Sequence, residues 1–164
     1  MKKKKQMRIV KRRRHEGKTN YSKRLKLLKG GHIRLVVRKS NRYLVLQIVE
    51  SVHAQDKVLF TVTTKDLLKY GWPSEKAGSL KSLGAGYLGG MLLGKRTEGK
   101  VDGKVILDSG LIPNTKGSRV YAVVKGLKNG GVDIEFSEEV VPPMEKIEKQ
   151  EFFKDVKGKI GGGN

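Results

Sequence analysis

Apolar and polar residues alternate in several stretches of the first half of the chain, and this pattern predicts strands. Ile33–Arg38 and Arg42–Val49 are rich in Val, Leu and Ile and alternate in part. Val58–Thr63 is a third run of this kind, so we expect an antiparallel three-strand meander. Ser40-Asn41 is the candidate two-residue turn of the first hairpin, because Asn tolerates a positive φ. Gln55-Asp56-Lys57 predicts the second turn.

Apolar residues at intervals of three and four predict helices elsewhere. In Asn20–Leu28, the side chains of Tyr21, Leu25 and Leu28 share one face, which we expect to be buried, while cations occupy the other faces. Ser74–Arg96 predicts a glycine-rich helix. Its glycines recur every four residues and would let it lie close to the sheet, at a cost in helix propensity of about 1 kcal/mol per glycine.

The second half of the chain adds one strand and one further helix to this picture. Val105–Leu107 follows the glycine-rich helix and is expected to join the sheet in parallel. Ser118 is the candidate cap of a helix whose apolar face carries Val120, Val123, Val124 and Leu127. The order of elements predicts an α/β fold of α+β-like character, in which helices pack on a small mixed sheet that begins with the meander.

Positive charge is concentrated in the first third of the chain. Residues 1–50 hold 18 of the 36 Lys and Arg residues and only two acids, a net charge of +16 out of +20 for the whole chain. A field of this strength attracts a polyanion and repels itself. Basic clusters beside a small globular body favour RNA over duplex DNA, since no helix suited to reading a groove is evident.

Composition divides the chain into three parts. Residues 1–18 predict a basic arm that stays extended and without structure until a partner neutralises it, although a solubilising tail or localisation signal is an alternative. We expect residues 19–136 to form a globular α/β RNA-binding domain. Residues 137–164 predict an acidic tail, with a helix at Met144–Val156 that turns Ile147 and Phe152 inward and a flexible end from Gly158.

The candidate RNA contacts lie in the arm and at the tip of the first hairpin. Arginine grips phosphate with a planar fork, and an amide, a hydroxyl and an aromatic ring can add hydrogen bonds and stacking. An ordinary charged hairpin end is the alternative. The candidates from the residues alone are Lys11, Arg12, Arg13 and Arg14 in the arm, and Arg38, Lys39, Ser40, Asn41, Arg42 and Tyr43 at the tip.

Several other classes of function have little support. Without Cys, disulfides and thiolate metal sites are excluded. No apolar run reaches the roughly 20 residues that span a bilayer, so we expect a cytoplasmic protein. Gly84–Gly89 matches G-x-G-x-x-G, and Asp108 follows about twenty residues later, but no strand precedes the glycines. A dinucleotide-binding enzyme is therefore only an alternative, and Trp72 is expected to be a packed corner residue.

Four motifs occur in the order typical of one family. Arg12–Leu28, Arg34–Arg42, Tyr70–Trp72 and Leu107–Leu111 together resemble the 5S-rRNA-binding protein of the large ribosomal subunit, family eighteen, in its archaeal and eukaryotic form. The resemblance implies an α/β fold and a structural role without enzymatic activity or cofactor. It also implies binding to 5S rRNA and attachment of that RNA to the 23S-type rRNA of the large subunit, next to neighbouring ribosomal proteins of the central protuberance.

The resemblance extends the set of expected RNA contacts beyond the arm and the hairpin tip. Carried over by motif, it adds Lys18, Tyr21, Arg24 and Arg34, and with less support Thr63, Thr64 and Trp72. It implies no membrane and no small-molecule substrate as a partner. A general RNA chaperone is the alternative among binding proteins.

Overall fold

Three consecutive strands form the antiparallel meander that the sequence predicted. In a computed structural model that describes residues 9–101 and 103–162, β1 (Ile33–Lys39) pairs with β2 (Leu44–Val52), which pairs with β3 (Gln55–Thr63). The fourth strand, β4 (Val105–Asp108), lies parallel to β1, so the strand order is β3-β2-β1-β4. This mixed sheet with helices packed on it confirms the predicted fold class.

Both hairpin turns differ from the predicted ones. The β1–β2 connection has four residues, Ser40–Tyr43, and it closes where the backbone N–H of Ser40 donates to the carbonyl of Tyr43 at 2.9 Å. The prediction of a two-residue turn at Ser40-Asn41 is therefore wrong. The β2–β3 turn is His53-Ala54, with φ of 48° and 65°, as a two-residue turn of mirror-image type requires. The predicted turn at residues 55–57 is wrong, because these residues begin β3.

Helical elements connect and cover the strands. In chain order they are α1 (Arg12–His15), α2 (Tyr21–Lys29), two 3₁₀ helices (Thr64–Tyr70 and Ser74–Ser79), α3 (Leu83–Thr97), α4 (Arg119–Asn129), a 3₁₀ turn (Glu138–Val140), α5 (Met144–Ile147) and α6 (Phe153–Gly161). The predicted glycine-rich helix is thus divided. Its main part begins after Ser82, whose hydroxyl accepts the backbone N–H of Ala85 at 3.2 Å.

The glycines of α3 allow close contact with another helix more than with the sheet. A Cβ placed on Gly90 would lie 2.2 Å from the carbonyl oxygen of Val123 in α4, and one on Gly126 of α4 would lie 2.0 Å from that of Tyr87. The backbones of α3 and α4 therefore touch. Towards the sheet the approach is looser, since a Cβ on Gly89 would lie 3.1 Å from Leu46 and one on Gly86 would lie 3.4 Å from Leu44. Helix α3 thus lies between the sheet and α4.

The C-terminal segment is part of the core. The single helix predicted at Met144–Val156 is wrong, because α5 and α6 are separate and residues 148–152 connect them. Ile147, Phe153 and Val156 are buried in the main cluster, and the helix continues beyond Gly158, where a flexible end was predicted. Of the two residues predicted to point inward, Ile147 is buried, whereas Phe152 is half-buried and packs edge-on against Trp72.

Trp72 is a packed corner residue, as predicted. Its ring centre lies 4.8 Å from that of Phe152, its indole N–H donates to the carbonyl of Lys76 at 3.1 Å, and it is 2% exposed. Thr64 is also buried, and its hydroxyl is bonded to Leu44 and Leu80. Neither Trp72 nor Thr64 is therefore available to RNA.

Candidate nucleic-acid interface

A groove of about 680 Å³ separates the arm and α2 from the end of the sheet. Cationic side chains from three segments line it: Arg13 and Lys18 from the arm, Lys23 and Arg24 from α2, and Arg38 and Lys39 from β1. Tyr21 lies among them, and the rest of the lining comes from Thr19, Asn20, Leu27 and residues 108–112. Guanidinium and ammonium groups that converge on one groove form a surface suited to a phosphate backbone.

Helix α2 is held against the body by its cationic face. Its N-terminus is capped by Asn20, whose side-chain oxygen accepts the backbone N–H of Lys23 at 3.0 Å. The ammonium of Lys23 donates to the hydroxyl of Ser109 at 3.1 Å and to the carbonyl of Gly110 at 3.2 Å. Arg24 donates to Asp56 on β3 at 3.0 Å. These polar contacts replace the apolar packing that the sequence predicted.

The described part of the arm has a short helical turn, where the sequence predicted an extended chain. Lys11, Arg12, Arg13, Arg14 and Lys18 are all exposed. The guanidinium of Arg13 donates to the hydroxyl of Thr19 at 2.9 Å, and the ammonium of Lys11 lies 4.6 Å from the ring centre of Tyr21. The arm thus folds towards the groove. The lysine run at residues 2–5 lies outside the described residues.

Arg34 is buried, so the expectation that it contacts RNA is wrong. Its side chain is 1% exposed. One terminal nitrogen donates to Asp108 at 3.0 Å, and the other donates to Asp56 at 2.7 Å and to Ser51 at 2.6 Å. Strand register explains this arrangement. Arg34 lies opposite Val49 of β2 and Ile106 of β4, so Ser51 and Asp108, two residues further along, lie on the same face of the sheet.

Both carboxylates that hold Arg34 also bind an arginine at the groove. Asp56 accepts from Arg24 at 3.0 Å, and Asp108 accepts from Arg38 at 3.3 Å. The result is a chain of five alternating charges, which we call the arginine–aspartate network: Arg24, Asp56, Arg34, Asp108 and Arg38. It runs from α2 across the sheet to the end of β1. Because charged hydrogen bonds are directional, it fixes the two groove arginines relative to each other.

The electrostatics of Asp56 are consistent with this network. Partial burial raises the pKa of its carboxyl group, but hydrogen bonds from Ser51 and Arg24 and the charges of Arg34 and Arg24 lower it more. The net result is a pKa below the ordinary value. Asp56 therefore remains ionised, and keeps its arginines in place, over the whole neutral range.

The β1–β2 loop, Ser40–Tyr43, carries the other predicted contacts. Lys39, Asn41 and Arg42 are exposed, whereas the hydroxyl of Ser40 is bonded to the carbonyl of Tyr43 at 2.8 Å. Arg38 is 46% exposed, and it also donates to the carbonyl of Asp108 at 2.9 Å. Ser40 thus shapes the loop, and the neighbouring cations point towards solvent.

Two lysines that the sequence analysis missed extend the loop surface. Lys65 places its ammonium 4.6 Å from the ring centre of Tyr43, and the ammonium of Lys81 donates to the carbonyl of Asn41 at 2.8 Å. Neither lysine is near the loop in sequence, so no local pattern marks them. The ammonium of Lys65 thus lies over the ring of Tyr43, a half-buried residue that also packs against the hydrophobic core.

The glycine motif does not form a dinucleotide site. Gly84–Gly89 lies inside α3, and all six residues are buried. A Cβ on Gly84 would lie 2.8 Å from the carbonyl oxygen of Ile147, so the C-terminal segment covers the start of the helix. Asp108 is bound by Arg34 and Arg38. Within residues 9–101 and 103–162, no group of three acidic or histidine side chains could hold a metal ion, and no helix is long and apolar enough to cross a membrane.

The sequence is similar to known large-subunit ribosomal proteins. The family described as "Ribosomal large subunit proteins 60S L5, and 50S L18" matches residues 4–104. "Large ribosomal subunit protein uL18" of Korarchaeum cryptofilum is 43% identical over 136 residues, which is 83% of this chain and 68% of that protein. The corresponding protein of Aeropyrum pernix is 40% identical, with 85% of this chain and 64% of the relative covered.

A third relative covers most of both chains. The protein of the same name from Methanothrix thermoacetophila is 39% identical over 151 residues, which is 92% of this chain and 86% of the relative. The family match includes the described arm, α2, the three-strand meander and α3, and so most of the groove. The chain therefore belongs to the family of large-subunit ribosomal proteins that comprises 60S L5 and 50S L18, as the order of its sequence motifs predicted.

Proposed function

We propose that this chain binds 5S rRNA and helps attach it to the rRNA of the large subunit in the central protuberance. The observation that carries the proposal is the groove, where six cations from three segments converge beside Tyr21. The β1–β2 loop with Asn41 and Arg42 continues this surface next to Lys39, and Lys65 and Lys81 widen it. A surface of this kind follows the phosphates of a folded RNA and adds a limited number of base contacts.

The arginine–aspartate network would lower the entropic cost of this binding. Arg24 and Arg38 are each held by a carboxylate, so less side-chain freedom is lost when phosphate arrives. A flexible exposed side chain costs about 0.5–1.5 kcal/mol to immobilise on binding. The proposal therefore assigns the strongest phosphate contacts to these two arginines, with Lys39 and Arg42 as exposed and freely moving cations.

Competition between 5S rRNA and bulk tRNA at a fixed salt concentration tests the proposal. We expect 5S rRNA to displace tRNA, and tRNA to displace 5S rRNA only at a large excess. Equal competition would instead identify a general RNA chaperone. The affinity for 5S rRNA should also fall steeply with salt, by a slope of about 0.7–0.9 for each phosphate neutralised.

Replacing Arg38 and Arg42 by Ala tests the assignment of the surface. We expect weaker binding to 5S rRNA and a smaller salt slope, because two phosphate contacts are lost. Arg96 at the end of α3 supplies the control, since it is 41% exposed and lies outside the groove. Arg96→Ala should change neither quantity appreciably. An unchanged slope in the Arg38→Ala, Arg42→Ala variant would show that RNA binds elsewhere.

A further inference from the structure

The apolar face of α2 lies outside the core of the protein. None of its nine residues is buried, Leu25 is 54% exposed, and Tyr21 and Leu28 on the same face are only half-buried. The helix is attached through Lys23 and Arg24 on the neighbouring face. A single exposed leucine is ordinary, but an apolar stripe at positions i, i+4 and i+7 is the pattern by which a helix packs against something.

The surroundings of this stripe indicate what covers it. Exposed Lys29 lies beside it on the helix, exposed Lys26 lies further round on the same side, and Lys11 holds its ammonium 4.6 Å from the ring centre of Tyr21. Among the described residues, neither Lys26 nor Lys29 has an ion pair with an acid. An apolar strip with unpaired cations along one side matches a ligand that is both anionic and apolar. Unpaired nucleotides provide this combination, since their bases have apolar faces and their phosphates are charged.

We infer that the stripe formed by Tyr21, Leu25 and Leu28 is covered by unpaired bases of the bound RNA. The bases lie on Tyr21 and Leu25, and their phosphates lie beside Lys26 and Lys29. The inference rests on the proposed function, because it takes the RNA to be 5S rRNA. It assigns to α2 a base-covering face in addition to the phosphate-binding face that lines the groove.

Leu25→Gln tests this inference, because Gln keeps the length and the helix propensity of the side chain and removes its apolar character. We expect about three- to tenfold weaker binding to a 5S rRNA transcript, from the apolar area of roughly half a leucine side chain. The salt slope should not change, because no phosphate contact is lost. A fully paired RNA duplex of similar length should bind both proteins equally.

The matched control is Leu68→Gln in the first 3₁₀ helix, where Leu68 is 40% exposed. It should bind 5S rRNA like the unaltered chain, and neither variant should change the unfolding temperature of the free protein. Lys26→Gln with Lys29→Gln should lower the salt slope, which separates the phosphate contacts from the apolar ones.

Several results would overturn the inference. Equal affinity of Leu25→Gln and the unaltered chain for 5S rRNA would leave the stripe outside the RNA interface. If Leu25→Gln lost the same affinity for the paired duplex, the stripe would contact the ribose-phosphate backbone and not unpaired bases. A dimer of the free chain that Leu25→Gln dissociates would assign the stripe to a second copy. If the unaltered chain showed no preference for 5S rRNA over tRNA, the proposed function itself would fail, and the inference with it.

Discussion

Replacing Arg34 by Met separates a structural arginine from an RNA-binding one. Arg34 is almost completely buried, and its two terminal nitrogens donate to Asp108, Asp56 and Ser51 at 2.6–3.0 Å. Met fills a similar volume without charge or donor. Each carboxylate retains one arginine, since Asp56 still binds Arg24 and Asp108 still binds Arg38. The change therefore removes the centre of the network and leaves its two ends.

The expected loss of stability is about 3 kcal/mol. Breaking a buried ion pair by removing one partner costs about 3–5 kcal/mol, because the other charge stays buried without compensation. The lower end applies here, since both carboxylates keep a second partner and the apolar Met side chain gains from burial. For a chain of 164 residues, this corresponds to a decrease in Tm of roughly 6–12 °C.

Urea unfolding and 5S rRNA binding should be measured on the same preparations. Arg34→Met should lower the midpoint without changing the m-value, and its salt slope for RNA should equal that of the unaltered chain. Arg34→Lys should be intermediate in stability, because an ammonium cannot bridge two carboxylates as a guanidinium does. The exposed Arg42 gives the opposite control, since Arg42→Met should keep the stability and lower the salt slope. A variant Arg34→Met with unchanged stability and a reduced salt slope would refute the structural role.

Four further changes test other parts of the structure. Ala54→Gly should raise stability by about 0.5–1 kcal/mol in urea unfolding, because Ala54 has a φ of 65° that only glycine adopts without cost. Gly126→Ala should cost about 3 kcal/mol, since its Cβ would clash with the carbonyl oxygen of Tyr87. Gly158→Ala, with open space around it in α6, should instead stabilise by up to about 1 kcal/mol. The pKa of Asp56 is lowered in the folded state, so the stabilisation it provides is present above its ordinary pKa and is lost as the pH falls through its folded pKa. Asp56→Asn should therefore be less stable than the unaltered chain at neutral pH. Its stability should also depend less on pH on the acid side.

The strands and the two long helices were predictable because burial of one face imposes a period on the sequence. Val120, Val123 and Leu127 form the buried side of α4, and β4 was placed in parallel because a helix precedes it. The β2–β3 turn was not predictable in this way. His53 and Ala54 adopt positive φ although neither is a usual residue for such a turn, so the register of the two strands, and not the local sequence, determines it.

The site was predictable as a charge distribution but not as a geometry. Alternation showed that Arg34 and Arg38 share one face of β1, yet it could not show that Asp108, distant in sequence, covers Arg34 and leaves Arg38 half exposed. Periodicity likewise marked the apolar face of α2 without showing what packs against it. Lys65 and Lys81 reach the loop only through the tertiary fold. Such contacts between distant segments carry no local signal.

The position of Asp108 explains why a basic protein keeps acids next to its groove. On net charge alone, Asp56 and Asp108 should weaken the attraction of a polyanion. Each of them nevertheless binds a terminal nitrogen of the buried Arg34 and at the same time orients an arginine that lines the groove. An unoriented side chain loses conformational freedom when it binds, and an unpaired buried guanidinium would destabilise the sheet. The two acids therefore favour RNA binding through the positions they give the arginines more than they weaken it through their negative charge. Affinity for RNA in this chain should therefore follow the placement of its arginines more closely than its total charge.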